Sequence, residues 1–372
     1  MLLVALVSRL CYSQGNKSMS QEDIQKLFAS LSSSDGPGIQ YVVVNKAGVL
    51  YEHSSGFADV KNRTPLSLSH TMAAFSMTKT LTAIAVLQLA EQIKLDIDLP
   101  VSKYVKHPYD REITIRQLLN HTSGIPNPIP LKWVHLVKDH QSFNEPSALT
   151  KILADNPKQN NPPGEKYTYS NINYWLLGGV IEAVTGESYS AYIRTNIFQR
   201  LHLSPDEIDF FYSESAPHAK GYLAKNSFMN LIKSFVTDKE VWGNYEGNWL
   251  QLKDVYVNGP AFGGAIGTAQ AFSAILRDLL AEQSLLLNKR SKELLFQRQK
   301  SHSGKEIDMT LGWHIGDLDG VRYYYKEGGG AGFHSEMRVY PSLGLATVIM
   351  TNQTSFNSRS ALSGLDRIFL QN

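Results

Sequence analysis

The sequence predicts an α+β fold. An antiparallel β-sheet is completed by both ends of the chain and flanked by helices, and a mainly helical subdomain lies between. Three observations carry this. Strand-like, β-branched runs occur early, at residues 39–44 and 49–53, and return late, at 311–315, 322–326, 334–340 and 346–351. Most of what lies between reads at helical period or as loop. Leu81, Ile84, Ala85, Val86, Leu87, Leu89, Ala90 and Ile93 make one run apolar on nearly every side, as in a helix buried all round.

Taken in order, residues 20–32 read as an amphipathic helix with Ile24, Leu27, Phe28 and Leu31 on one face and Ser20 as cap. Asp35-Gly36-Pro37-Gly38 stops it, and residues 39–53 form a hairpin turning at 45–48. A polar stretch leads to the apolar helix, which Leu95 to Pro100 closes. Residues 113–124 predict a short helix stopped at Gly124. The Pro- and Asn-rich region 126–163 holds helical pieces at 131–137 and 146–153. Residues 174–184 and 188–197 predict two more helices, divided at Gly186. From 204 to 262 the pattern weakens and aromatics abound, among them Phe210, Tyr222, Trp242 and Trp249. An irregular insertion roofing a cleft fits this stretch, and so does a helical subdomain with an aromatic core. A helix follows at 269–281, and after the late strands a final amphipathic helix carries Leu362, Leu365, Ile368 and Phe369.

Composition narrows the function. With 372 residues the chain can bury a large core, and a formal net charge of +2 without blocks of like charge gives no footprint for nucleic acid. The single cysteine, Cys11, rules out an intrachain disulfide and a cysteine zinc site, and the histidines follow no metal-binding spacing. No metal or organic cofactor is therefore expected. No span is long enough to cross a membrane. Residues 1–18, apolar to Val7 and then interrupted by Arg9, resemble the end of a secretory leader. The expectation is one domain over 19–372, exported to a periplasm or secreted if the leader is real, and cytoplasmic otherwise.

The chemistry gathers at three motifs. Ser76-Met77-Thr78-Lys79 opens the apolar helix, and a spacing of three places Lys79 on the same face as Ser76. The helix N-terminus favours negative charge there, and the amine can share the serine proton. Alone, this motif would equally describe a capping serine with a solvated lysine one turn later. Tyr169-Ser170-Asn171 stands before a second apolar helix, offering a phenol, a hydroxyl and an amide. Lys326-Glu327-Gly328-Gly329-Gly330 joins two late strands, offering an ammonium beside backbone that a ligand can approach closely.

In that order the three motifs resemble the serine β-lactamase and penicillin-binding superfamily. Tyrosine opening the second motif is similar to the class C branch, with its D-alanyl-D-alanine carboxypeptidases and family VIII carboxylesterases. The resemblance spans roughly residues 20–370. It implies a β-lactamase/transpeptidase-like fold and a serine hydrolase acting through an acyl-enzyme on a small ester, amide or peptide. Ser76 would be the nucleophile, Lys79 would share its proton, and Tyr169 would be the general base. Its phenolate would be favoured between Lys79 and Lys326. Asn171 would position the substrate and Lys79. The oxyanion hole would come from the N–H groups of Ser76 and Gly329, on the substrate-binding stretch Lys326, Glu327, Gly328 and Gly329.

One departure stands out. Glu327 occupies the position where the family carries a hydroxyl that holds a substrate carboxylate. A glutamate should repel that carboxylate by about 1–2 kcal/mol unless it is protonated or turned onto Lys326 or Arg338. On this ground esters or amides of small acyl groups rank first, peptides with D-residues second and β-lactams third. A non-catalytic binding or sensor domain on the same fold is the competing class. His334 and Glu336, on the following strand, are candidates to line the cleft, with strand surface the simpler reading.

Overall fold

The computed structural model describes residues 21–31, 34–129 and 132–370. Six strands form one antiparallel sheet, in the spatial order His314–Leu318, Val321–Gly330, Phe333–Tyr340, Leu345–Thr351, Ile39–Asn45, Gly48–Ser55. The two ends of the chain complete it, as predicted: Ile39 pairs with Thr351 and Asn45 with Leu345. The Asn45 side chain closes the early hairpin by accepting the N–H groups of Ala47 and Gly48 at 2.8 and 3.1 Å.

Side chains alternate across the sheet. Tyr41 and Val43 point with Tyr51 and Ile349 toward helices Gln21–Leu31 and Ser358–Leu370, where Phe28, Leu362 and Leu365 close the layer. Val42 and Val44 point the other way, with Val348 and Met350, into the main core. Helix Ala269–Leu280 lies on that face. Each such side chain contributes roughly 1.5–3 kcal/mol relative to exposure. Helix Thr78–Glu91 is buried from Thr78 through Leu89, as its all-round apolarity predicts, and packs against Asn171–Thr185 and Pro260–Gly263.

A buried polar network ties the sheet to the last helix. Arg338 Nε donates to Glu336 Oε1 at 2.7 Å, and its other nitrogens reach Asp366 Oδ2 at 3.3 Å and the Arg359 carbonyl at 3.0 Å. Tyr340 donates to Asp366 at 2.6 Å. Glu336 is thus a fully buried structural residue rather than strand surface, and Arg338 is engaged away from Glu327.

Several elements differ from the sequence reading. The predicted helix 131–137 is, where described, strand Val134–Leu136, paired with Val255–Val257. A partner 119–123 residues away overrides local period. The helix predicted over 113–124 is only Ile115–Leu119, capped at its start by Thr114 and Gln117 and ended by His121 at φ +58. Gly124 serves a later turn, where a Cβ would meet the Asn161 carbonyl at 1.9 Å. The aromatic stretch is neither irregular nor wholly helical. Its centre is a three-stranded sheet of Gly221–Ala224, Trp249–Leu252 and Trp242–Glu246, with helix Phe228–Val236 beside it. The leader at 1–18 and the Ser20 cap fall outside the described residues. Among the described residues no helix is long and apolar enough to cross a membrane.

Candidate active site

The chain enters the site through a strained residue. Strand Met72–Ala73, paired with Ile266–Gly267, leads to Phe75 at φ +45, a left-handed backbone that bulky residues rarely adopt. Ala74 anchors the approach, its N–H donating to the Ala265 carbonyl at 2.9 Å. Ser76 then lies in a 3₁₀ turn, Phe75–Met77, that runs into helix Thr78–Glu91. The glycine strand crosses closely above. A Cβ on Gly328 would fall 2.0 Å from the Ala74 carbonyl oxygen and 3.0 Å from the Ser76 nitrogen, so only glycine permits this approach.

Ser76 Oγ lies 2.9 Å from Tyr169 OH and 2.9 Å from Lys79 Nζ. Lys79 is fully buried and also donates to Asn171 Oδ1 at 2.7 Å and to the Phe262 carbonyl at 2.6 Å. Asn127 fixes which way the Asn171 amide faces, because its Oδ1 accepts both the backbone N–H and the side-chain N–H of Asn171, at 3.0 and 3.1 Å. Burial, and then the charge of Lys326, hold the Lys79 ammonium well below its usual pKa. In the neutral form its two N–H groups would answer the two carbonyl oxygens, leaving its lone pair facing Ser76.

Tyr169 behaves differently from the sequence expectation. Burial raises its phenol well above the ordinary value; the Ser76 hydrogen bond lowers it less, and Glu327 adds to the rise. Desolvation is the largest of these influences, and it favours the phenol over the phenolate. His121 backs it with ring centroids 4.4 Å apart and is itself kept neutral, chiefly by burial. Lys326 is fully buried, 5.3 Å from the Tyr169 ring centroid, and its Nζ has no hydrogen-bond partner among the described residues. Burial lowers its pKa to about 7.

Glu327 is turned neither onto Lys326 nor onto Arg338. His334 Nε2 bonds its carboxylate at 2.7 Å, and Arg359 stands 3.7 Å away. His334 Nδ1 faces the Thr354 carbonyl at 3.2 Å, so both ring nitrogens face acceptors and the imidazolium satisfies both. The His334 bond holds the Glu327 carboxyl below its usual range, and despite burial the same contact raises His334. The carboxylate is thus favoured in its ionised form between two basic side chains, which offset the repulsion the sequence reading assigned to it. His334 lines the cleft rather than a strand surface.

The eight residues singled out from the sequence thus converge, with Gly329 lying between the hollows on either side of Ser76. Sequence reasoning missed Asn127, His121 and Arg359. Each acts through a neighbour distant in sequence, which no local motif reveals.

A model of the family described as Beta-lactamase matches residues 24–368. Protein flp of Staphylococcus aureus is 32% identical over 215 residues, 56% of this chain and 42% of that protein. Penicillin-binding protein 4* of Bacillus subtilis is 27% identical over 310 residues, 80% of this chain and 64% of that one. The chain thus spans less than two thirds of the length of either relative. The crystal structure of D-amino acid amidase from Ochrobactrum anthropi SV3 superimposes with a TM-score of 0.75 over 94% of this chain and 98% of that one. At 19% identity that likeness shows a shared fold.

Proposed function

The chain belongs to the Beta-lactamase family, and from that premise we propose a serine hydrolase that cleaves ester or amide bonds through an acyl-enzyme, with esterase-type activity foremost. The observation that carries this is Ser76 Oγ at 2.9 Å from both Lys79 Nζ and Tyr169 OH. Neutral Lys79 takes the serine proton as Oγ attacks the carbonyl carbon. The oxyanion develops beside the N–H groups of Ser76 and Gly329. Tyr169, hydrogen-bonded to Oγ, passes its phenol proton to the leaving group as that group's bond to the acyl carbon breaks, and takes the serine proton back from Lys79, which returns to the neutral amine. Water then attacks the acyl-enzyme, giving up its proton along the same path, and Ser76 is regenerated. In this reading the base is Lys79 and the relay is Tyr169, an exchange of the roles the resemblance implied.

D-Amino-acid amides or peptides are a second reading. The Glu327 carboxylate lines the cleft and its side chain is 39% exposed, so it offers a place for a substrate ammonium. Because His334 and Arg359 offset that charge, carboxylate-bearing β-lactams are not disfavoured as strongly as the sequence suggested.

The test is labelling by a fluorophosphonate followed by turnover of p-nitrophenyl butyrate, nitrocefin and a D-alanyl peptide, beside Ser76→Ala. Labelling and ester turnover that vanish in the variant are expected. Wild-type protein that no probe acylates would point instead to a binding domain.

A further inference from the structure

Ser76 stands between two hollows of opposite chemistry. One opens at Ser76 and is walled by Phe75, Val134, Val241, Val257, Phe262 and Ala331, with no ionisable side chain among its lining residues. The other is lined by Tyr169, Lys326, Glu327, His314 and His334. Gly329 borders both. Behind the first lies a third, much narrower hollow, walled by Leu223, Val236, Trp242 and Leu252. The first and third share Thr237 and Ala331, so they abut. One ionisable residue, Lys233, also lines the third hollow, with its ammonium held locally. Lys233 Nζ donates to the Asn230 carbonyl at 3.1 Å and lies 5.1 Å from the Trp242 ring centroid.

The orientation of a substrate follows from the proton. A leaving group must collect one, and its donor, Tyr169, lines only the charged hollow of the two. The acyl group therefore points into the apolar one. We infer that the first and third hollows form one acyl channel, and that the preferred substrates are esters of unbranched apolar acids long enough to pass Thr237 and Ala331. This rests on the acyl-enzyme reading above and departs from the small acyl groups favoured by sequence. The channel's outer wall is the segment the sequence left undefined, the three-stranded sheet with helix Phe228–Val236.

A series of p-nitrophenyl esters from acetate to dodecanoate tests it. In the wild type kcat/KM is expected to climb by up to about fourfold per methylene while the chain enters the channel, then level off. Val241→Trp, filling the first hollow, is expected to lower the octanoate-to-acetate ratio at least ~10-fold, the size of effect that losing a few buried methylenes produces. Val236→Trp, filling the third, is expected to move the plateau to shorter chains. Labelling of Ser76 by a small ethyl fluorophosphonate shows that each variant keeps a folded site. A wild type that labels and cleaves acetate and octanoate alike overturns the channel and leaves the acyl-enzyme reading standing. A labelled Val241→Trp variant with an unchanged ratio also overturns the channel. A wild type that neither labels nor cleaves any ester overturns both.

Discussion

At the scale of single residues, the contest in this site is between burial and charge. Nearby cations lower a tyrosine pKa, and that rule led the sequence reading to a phenolate at Tyr169. The structure buries Lys79 and Lys326 fully and Tyr169 in part, and desolvation disfavours the charged form of each. Depth of burial was not legible in the motifs, although the motifs themselves were. The sign for Lys79 follows directly: the Lys326 ammonium depresses it, so removing that charge must raise it. Lys326→Met should therefore move the acidic limb of the kcat/KM profile for a p-nitrophenyl ester to higher pH, besides lowering the rate. A limb that stays in place would show that the two lysines are not electrostatically coupled. Glu327 makes the same point about legibility. Its oddity was visible in the sequence, but its partners His334 and Arg359 are set by strand register and by the last helix.

At the scale of elements, helices that face the core on all sides were the easiest to read and the least tolerant of change. Helix Thr78–Glu91 has no solvent face to absorb a displacement over most of its length. Gly312 sits against it at φ +91, where a Cβ would come 2.9 Å from Ala83 Cβ and 3.3 Å from Tyr174 OH. Gly312→Ala should cost about 2 kcal/mol or more, from strained backbone and overpacking together. Urea unfolding curves would measure this; a variant within error of wild type would mean the helix can shift. The elements that were not legible lie where periodicity points the wrong way. Helix Phe228–Val236 is strongly amphipathic, yet Phe228, Leu231 and Phe235 are exposed. Strand Val134–Leu136 exists because Val255–Val257 pairs with it.

At the scale of the whole molecule, the sheet joins the two ends of the chain and the site hangs from it. The fold class was legible because β-branched runs at both ends have no other way to bury both faces. What holds the closure is the polar network under the last helix, which no pattern announced. Arg338 pairs with both Glu336 and Asp366, all three fully buried. Arg338→Met should destabilise the protein by about 3–5 kcal/mol, because it leaves two carboxylates buried without a cation. Thermal and urea unfolding would report it. A loss below about 1 kcal/mol would place the closure in apolar packing alone.

The pairing of Ile39–Asn45 with Leu345–Thr351 also has a consequence for biosynthesis. A ribosome adding about 5–20 residues per second needs roughly 15–60 s to make the stretch between these partners. Through that interval the early hairpin presents an apolar, unpaired edge to the cytosol or the export machinery. The serine has meanwhile been made, but the glycine strand that crosses it has not. On the acyl-enzyme reading the site is incomplete until the last strands emerge, and a chain truncated near its end is expected to be aggregation-prone rather than weakly active.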